Sequence, residues 1–267
     1  VGQILTVTTD FGTSDAYVAA MKGTILGIAK DLTLIDISHE ISPQDVMEAA
    51  FVVANAAPYF PPETIHLVVV DPGVGTDRRP IALRIDDHWF VGADNGLFSL
   101  LAEERSPAEA IILDNPSFWR TSDPSTTFHG RDIFAPVAAH LGSGVSPSEL
   151  GTPIDPEKLE YLRWARPTIM SDGIRGWIVH IDRFGNCITN ISRSLYEEEQ
   201  GELNTKLYAG SAVIEGIANT YDDVEKGEPL ALFGSSGYLE IAVNAGNAAE
   251  LYSIMKSDPV NIVFSAE

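Results

Sequence analysis

Cysteine is nearly missing from these 267 residues, with Cys187 standing alone. One thiol excludes an intramolecular disulfide and a zinc site built from several thiolates. Basic residues are scarce too, 17 against 38 acidic, leaving a formal charge of −21. Such a balance repels phosphate backbones, so nucleic acid is not expected as a partner, and the acidity reads as a solvated surface. Long apolar runs are also lacking. No stretch approaches the roughly 20 residues of a membrane span, and Val1 to Thr9 has neither the basic start nor the apolar core of a signal peptide. The expectation is a soluble, cytoplasmic protein without membrane contact. The chain does have 45% hydrophobic content over a length sufficient for one large or two ordinary domains.

Hydrophobic periodicity orders the first part of the chain as strand and helix in alternation. Gln3 to Thr8 reads as a strand, Asp15 to Lys30 as a helix and Thr33 to Ile37 as a strand. Pro43 to Ala57 reads as a helix with proline near its first turn and acidic residues near its positive end. Strands come next at Ile65 to Val70, Ile81 to Ile85 and Trp89 to Gly92, then a short helix near Gly96 to Glu104, a strand at Ala110 to Leu113 and a helix at Ile133 to Leu141. This alternation predicts a three-layer α/β domain with a mostly parallel central sheet, spanning 1–165. Turn-rich Gly-Ser-Gly, Ser-Pro-Ser and Asp-Pro segments close it. From 171 to 267 short strand-like runs at hairpin intervals predict a smaller, β-rich, barrel-like domain. They include Gly176 to Ile181, Ala212 to Ile214, Leu230 to Phe233, Tyr238 to Ala242 and Val260 to Phe264.

Four segments set polar residues and glycine beside buried-looking strands: Thr8 to Gly12, Asp71 to Arg78, Thr127 to Asp132 and Ile181 to Asn190. The Ile65 to Val70 run has no alternation, as expected of a strand buried on both faces of a parallel sheet. The next segment, Asp71-Pro-Gly-Val-Gly-Thr-Asp-Arg78, therefore sits at the sheet's carboxyl edge, where open α/β folds bind ligands. Taken singly, Asp71 reads as a turn residue, Arg78 and Arg79 as surface charges and His129 as a loop histidine. Asp10 by itself reads as an Asx turn or an N-cap for the helix near Asp15 as readily as a ligand-binding carboxylate at the sheet's edge. Arg183 to Asn186 reads as a hairpin turn. His39, His66, His88, His140 and His180 read as structural or surface residues.

Together the four segments resemble the S-adenosylmethionine hydrolases, also called S-adenosylmethionine hydroxide adenosyltransferases, a family related to the fluorinase and chlorinase. The likeness runs from the first strand to Ala245 or beyond. It implies hydrolysis of S-adenosylmethionine to adenosine and methionine, with no cofactor and no metal. It also implies an Asp, Arg and His triad, which maps onto Asp71, Arg78 and His129. The halogenating relatives carry tyrosine where this chain has Asp71 and lack the matching Arg and His, so the resemblance points to the water-using branch. Halide transfer and a non-catalytic adenosine-binding module are the alternatives.

Expulsion of neutral methionine from a sulfonium needs no acid, so the difficulty lies in holding and deprotonating water in line with the C–S bond. An always-charged guanidinium from Arg78 suits developing hydroxide, and Asp71 or His129 could take the proton. The resemblance further implies that Asp10 binds the ribose diol and Asp182 the methionine ammonium. Phe184 and Asn186 would meet the adenine, Ser235 and Ser236 the methionine carboxylate, and Asn244 and Ala245 the adenine edge. Where Ser236 stands, the halogenating relatives have Arg, and a hydroxyl is the weaker anchor. A homotrimer with sites at subunit boundaries is implied as well.

Overall fold

The computed structural model describes residues 2–162 and 166–266 and divides into two compact units, 1–162 and 163–267. The expected end of the first domain, at 165, lies outside the described residues.

The first unit runs β1 (Ile4–Thr9), α1 (Tyr17–Ile28), β2 (Thr33–Ser38), α2 (Val46–Ala56), β3 (Ile65–Val69), β4 (Pro80–Ile85), β5 (His88–Ala93), α3 (Ser99–Glu104), β6 (Glu109–Ile112), α4 (Ala135–Gly142) and β7 (Thr152–Pro153). The sheet order is β2-β1-β3-β5-β4-β6-β7. β2, β1, β3 and β5 pair in parallel, and β4, β6 and β7 are added antiparallel, so most strands share one direction. Side chains of β3 alternate between two cores, as strand geometry requires. Leu67 and Val69 pack with Met21, Ile25, Phe134 and Val137 under α1 and α4, and Val68 and Val70 pack with Ala49, Val53 and Leu101 under α2 and α3. The result is helix, sheet, helix in three layers. Among the described residues no helix is long and apolar enough to cross a membrane.

Helix starts differ from the sequence reading, by two residues for α1, which begins at Tyr17 and not Asp15, and for reasons of backbone conformation in three others. α2 begins at Val46, not Pro43, because Gln44 takes a positive φ of 65 and Asp45 caps the helix by accepting the Glu48 N–H at 2.9 Å. α3 begins at Ser99, three residues after Gly96, whose φ of 88 belongs to a turn. The helix expected from Ile133 opens earlier, as one π-helical turn over Gly130–Phe134 that runs into α4. His66 is a core residue: Thr6 Oγ1 lies 2.8 Å from its Nδ1 and its ring stacks on Phe90 at 4.8 Å. Burial first, and His88 second, hold it down to about 3, so it stays neutral.

The second unit contains β8 (Thr168–Met170), β9 (Gly173–Ile181), β10 (Cys187–Ser192), α5 (Arg193–Gln200), β11 (Asn204–Ala209), β12 (Ala212–Glu215), β13 (Pro229–Phe233), β14 (Tyr238–Val243), α6 (Ala248–Tyr252) and β15 (Pro259–Ser265). Their order is β12-β11-β15-β9-β10-β14-β13, with β8 beside β9. A bridge from Ala218 to Leu232 brings the two ends of that order toward each other, giving a nearly closed barrel. Ile174, Ile178, Ile191, Leu207, Ile241 and Ile262 belong to its core.

Among the elements here that the sequence reading did not name, β10 and α5 were hidden for physical reasons. β10 carries Thr189 and Asn190 buried in a strand, where Asn190 Oδ1 accepts the Trp177 N–H at 2.9 Å, so its polar letters hide a core strand. α5 buries only Tyr196, with Leu195 partly buried beside it, so its apolar face is too short to read as a helix from sequence. Its start is set instead by Ser192, which accepts the Leu195 N–H at 3.2 Å.

Candidate active site

Thr9 of β1 lies opposite Val69 of β3, so the two strands end side by side and the chain delivers Asp10 and Asp71 to the same edge of the sheet. The segment after β3 folds back as a turn, with the Val74 N–H on the Asp71 carbonyl at 3.2 Å and the Thr76 N–H on the Gly73 carbonyl at 3.1 Å. Gly75 has φ 78, and a Cβ there would run into the Thr126 carbonyl oxygen, so this loop can lie flat on the segment that carries His129 only with glycine.

The turn returns Arg78 onto Asp71. Arg78 Nε donates to Asp71 Oδ1 at 2.8 Å, and Nη2 donates both to Asp71 Oδ2 and, at 2.8 Å, to His129 Nδ1. The Asp71 and Arg78 side chains are 5% and 8% exposed, so this bidentate pair is largely shielded from water. Phe134 lies under the guanidinium at 5.0 Å. Arg78 Nη1 is buried and spends its hydrogens on no protein acceptor.

A guanidinium has only donors, so His129 Nδ1 must accept and the ring proton of the neutral imidazole resides on Nε2. The His129 pKa lies below its usual 6.5, chiefly through burial and then through Arg78, with Asp71 and Asp132 pulling the other way. The chain Asp71, Arg78, His129 is therefore ordered as carboxylate, guanidinium and neutral imidazole. Asp71 meets Arg78 instead of capping its own turn through its carboxylate. Arg79 is not a loose surface charge either, since its Nε donates to Asp94 at 2.7 Å.

Asp10 lines the same pocket of about 260 Å³, together with Asp71, His129, Phe11, Val69 and Phe128. Its Oδ2 accepts the Gln44 N–H at 2.8 Å. The N-cap alternative fails, because α1 starts after Ala16 with no side-chain cap. Gln44 reaches Asp10 from a left-handed conformation that costs a non-glycine residue about 1–3 kcal/mol.

In the second unit the turn between β9 and β10 holds Asp182, Phe184 and Asn186. Asp182 Oδ1 accepts the N–H groups of Phe184 and Asn186 at 2.8 and 2.9 Å, and Oδ2 accepts Asn186 Nδ2 at 3.0 Å. The hairpin-turn reading thus holds for the geometry, and it leaves Phe184 76% exposed on the tip. Cys187 of β10 pairs with Ile241 of β14, which puts Asn244 and Ala245, just past β14, at the same end of the barrel as this turn. Asn244 Nδ2 donates to the Val224 carbonyl at 2.8 Å, and Ala245 has φ 57. Ser235 and Ser236 lie in the β13–β14 turn, where the Gly237 N–H meets the Gly234 carbonyl at 3.0 Å. Burial pushes the Cys187 thiol up to about 12, which removes it as a nucleophile.

A model of the SAM hydroxide adenosyltransferase N-terminal domain matches residues 5–151, and one of the C-terminal domain matches 176–261. The chain belongs to this family. It is 36% identical over 263 residues to a Thermus thermophilus protein named (R)-S-adenosyl-L-methionine hydrolase, covering 95% of this chain and 97% of that one. A fluorinase from an Actinoplanes species is 28% identical over 284 residues and covers 94% of each. A crystal structure of an uncharacterized conserved protein from Thermotoga maritima superposes with a TM-score of 0.87 at 37% identity, covering 98% of this chain and all of that one.

Several residues of this hydroxide adenosyltransferase domain pair gave no signal in the sequence. Gln44 acts through its backbone N–H, which any residue could supply. Glu240 is 8% exposed and its Oε1 accepts the Tyr221 hydroxyl at 2.5 Å across 19 residues of chain. Burial first, with Asp182 adding, raises the Glu240 pKa against that hydrogen bond. Phe11 and Phe128, whose rings meet edge to face at 5.8 Å, were legible as neighbours of Asp10 and His129 but not as pocket walls. Among the described residues no group of three His, Cys, Asp or Glu is placed to hold a metal ion.

Proposed function

We propose that this family member hydrolyses S-adenosylmethionine to adenosine and methionine by one in-line displacement at the ribose 5′ carbon. The observation that carries the reading is the shielded Asp71, Arg78, His129 chain with Arg78 Nη1 unspent. The water oxygen bonds to the 5′ carbon as the C–S bond breaks, the sulfur leaves as a neutral thioether, and one proton is released. Arg78 stabilises the developing hydroxide. His129, with its proton on Nε2, donates to and orients the water. Asp71 still has lone pairs beyond those given to Arg78, so it takes the proton. Asp10, with one oxygen fixed by Gln44, receives the ribose diol. A pocket of about 260 Å³ is just under the range typical of drug-sized ligands, which suits the sugar end of this substrate alone.

The second unit supplies the remaining contacts in this reading. Phe184 and Asn186 meet the adenine, Asn244 and Ala245 its edge, Asp182 the ammonium, and Ser235 and Ser236 the carboxylate. No bound cofactor or metal takes part in the displacement. The enzyme acts as a homotrimer with sites at subunit boundaries, and sedimentation of the active preparation as a monomer contradicts that assembly. It works in the cytoplasm, with which a lone, buried, reduced cysteine is compatible.

The relatives' name specifies the R configuration at sulfur, and we extend that preference to this chain. Incubating the purified protein with each sulfonium epimer, without halide, should give adenosine and methionine, faster from the R epimer. Tight binding of both epimers with no product over hours means a binding module. A 5′-halogenated adenosine on adding chloride or fluoride means halide transfer.

A further inference from the structure

We propose that Asp132 is the positioning residue of the site: it clamps the 120–131 segment so that His129 meets Arg78. Its side chain is 1% exposed yet takes four hydrogen bonds from charged or backbone donors. Oδ1 accepts Arg120 Nε at 2.5 Å and Arg131 Nε at 2.7 Å, and Oδ2 accepts Arg131 Nη2 at 2.8 Å and the Ser125 N–H at 2.9 Å. The Asp132 backbone adds two more ties, its carbonyl receiving the Arg120 N–H at 2.9 Å and its N–H meeting the Phe128 carbonyl at 3.2 Å.

One buried carboxylate thus fixes both ends of the loop that leads into His129. Burial opposes its charge, but the bonds from Arg131, Arg120 and Ser125 prevail and hold the carboxyl well below the usual range. Asp132 sits in the π-helical turn Gly130–Phe134, a rare geometry frequent at functional sites. The other wall of the clamp is Gly130, where a Cβ would lie 3.1 Å from Val69 of β3 and 3.2 Å from the Met21 sulfur. His129 is thereby held between β3, which leads to Asp71, and the Asp132 clamp. Arg131 also lies over the Phe128 ring at 5.0 Å, so the clamp fixes a wall of the pocket too.

The charged groups that act on His129 are Arg78 and Asp71 from the loop after β3 and Asp132 from its own segment. Asp10 lines the same pocket from β1. Two effects of Asp132→Asn on His129 therefore have opposite signs. Loss of the carboxylate charge alone moves its titration further below 6.5. Loss of positioning frees the ring from Arg78 and from burial, its two depressing influences, and moves the titration up toward 6.5.

The test is an NMR titration of the His129 ring in the full-length protein and in Asp132→Asn, with His129→Gln identifying the resonance, alongside kcat and KM for S-adenosylmethionine. The expected result is an upward shift of the His129 titration and a kcat about tenfold to a hundredfold lower, with KM changed less than about threefold. An unchanged or lower titration, or an unchanged kcat, overturns the proposal. Should Asp132→Asn fail to fold, Arg120→Gln, at a half-exposed position, removes one arm of the clamp and must show the same upward shift; no shift there overturns the proposal equally. The kcat arm rests on the hydrolysis reading, whereas the titration does not. Wild-type protein that turns nothing over would sink that reading and leave the positioning claim to the NMR result.

Discussion

Asp71→Asn lowers kcat for S-adenosylmethionine hydrolysis by about 10²- to 10⁴-fold, the range for removal of a general base. The substitution keeps the shape of the side chain and removes the group assigned to receive the proton. It also turns an amide N–H₂ toward Arg78 Nη2, which has nothing but hydrogens to offer. His129→Gln should cost less, because a glutamine can accept from Arg78 through its oxygen and donate through its nitrogen, as the imidazole does in its assigned tautomer. Steady-state rates of the two variants under identical conditions check the assignment. A larger loss for His129→Gln than for Asp71→Asn reverses the roles of the two residues.

Arg78→Ala is expected to damage stability and activity together. It leaves Asp71, 5% exposed, as a buried carboxylate without its counter-charge, and breaking one side of a buried pair costs about 3–5 kcal/mol. In the proposed mechanism it also removes the donors assigned to the nascent hydroxide, for which losses of about 10²- to 10³-fold in kcat are typical. Urea unfolding should show a lower midpoint with little change in slope. Lysine is not a conservative replacement here, since one ammonium cannot hold both Asp71 oxygens and His129 Nδ1 in a plane. An unchanged midpoint in Arg78→Ala contradicts the ion-pair account of this loop.

Much of the first unit was legible in the sequence because its signals are local. The Ile65 to Val70 run, without alternation, announced a strand covered on both faces, observed over Ile65–Val69, and the Pro-Gly pair after it announced a turn at the ligand-binding edge. Helix starts were less legible where a backbone conformation decided them. Nothing in the letter Gln44 signals a left-handed residue, yet that residue moves the start of α2 and ties Asp10 in place. The barrel was harder still, since Thr189 and Asn190 enter its core by serving backbone N–H groups, and pattern reading counts such residues as surface.

The candidate site shows the same division. Asp71 and Arg78 are seven residues apart, and turn chemistry alone brings that loop together. His129 joins them across 51 residues through a contact that no periodicity encodes. Its inclusion came from the family resemblance, and the geometry then supplied what the resemblance left open, the tautomer and hence a candidate for the base. Asp182 shows the converse. It was expected as a ligand for an ammonium, and three bonds within its own turn now use much of its acceptor capacity.

The most direct test of the central claim is turnover of S-adenosylmethionine in water enriched in heavy oxygen, with both products weighed by mass spectrometry. Attack of a held water at the 5′ carbon predicts heavy oxygen in the 5′-hydroxyl of adenosine and unlabelled methionine. Unlabelled adenosine, or methylthioadenosine accompanied by labelled homoserine, would contradict it.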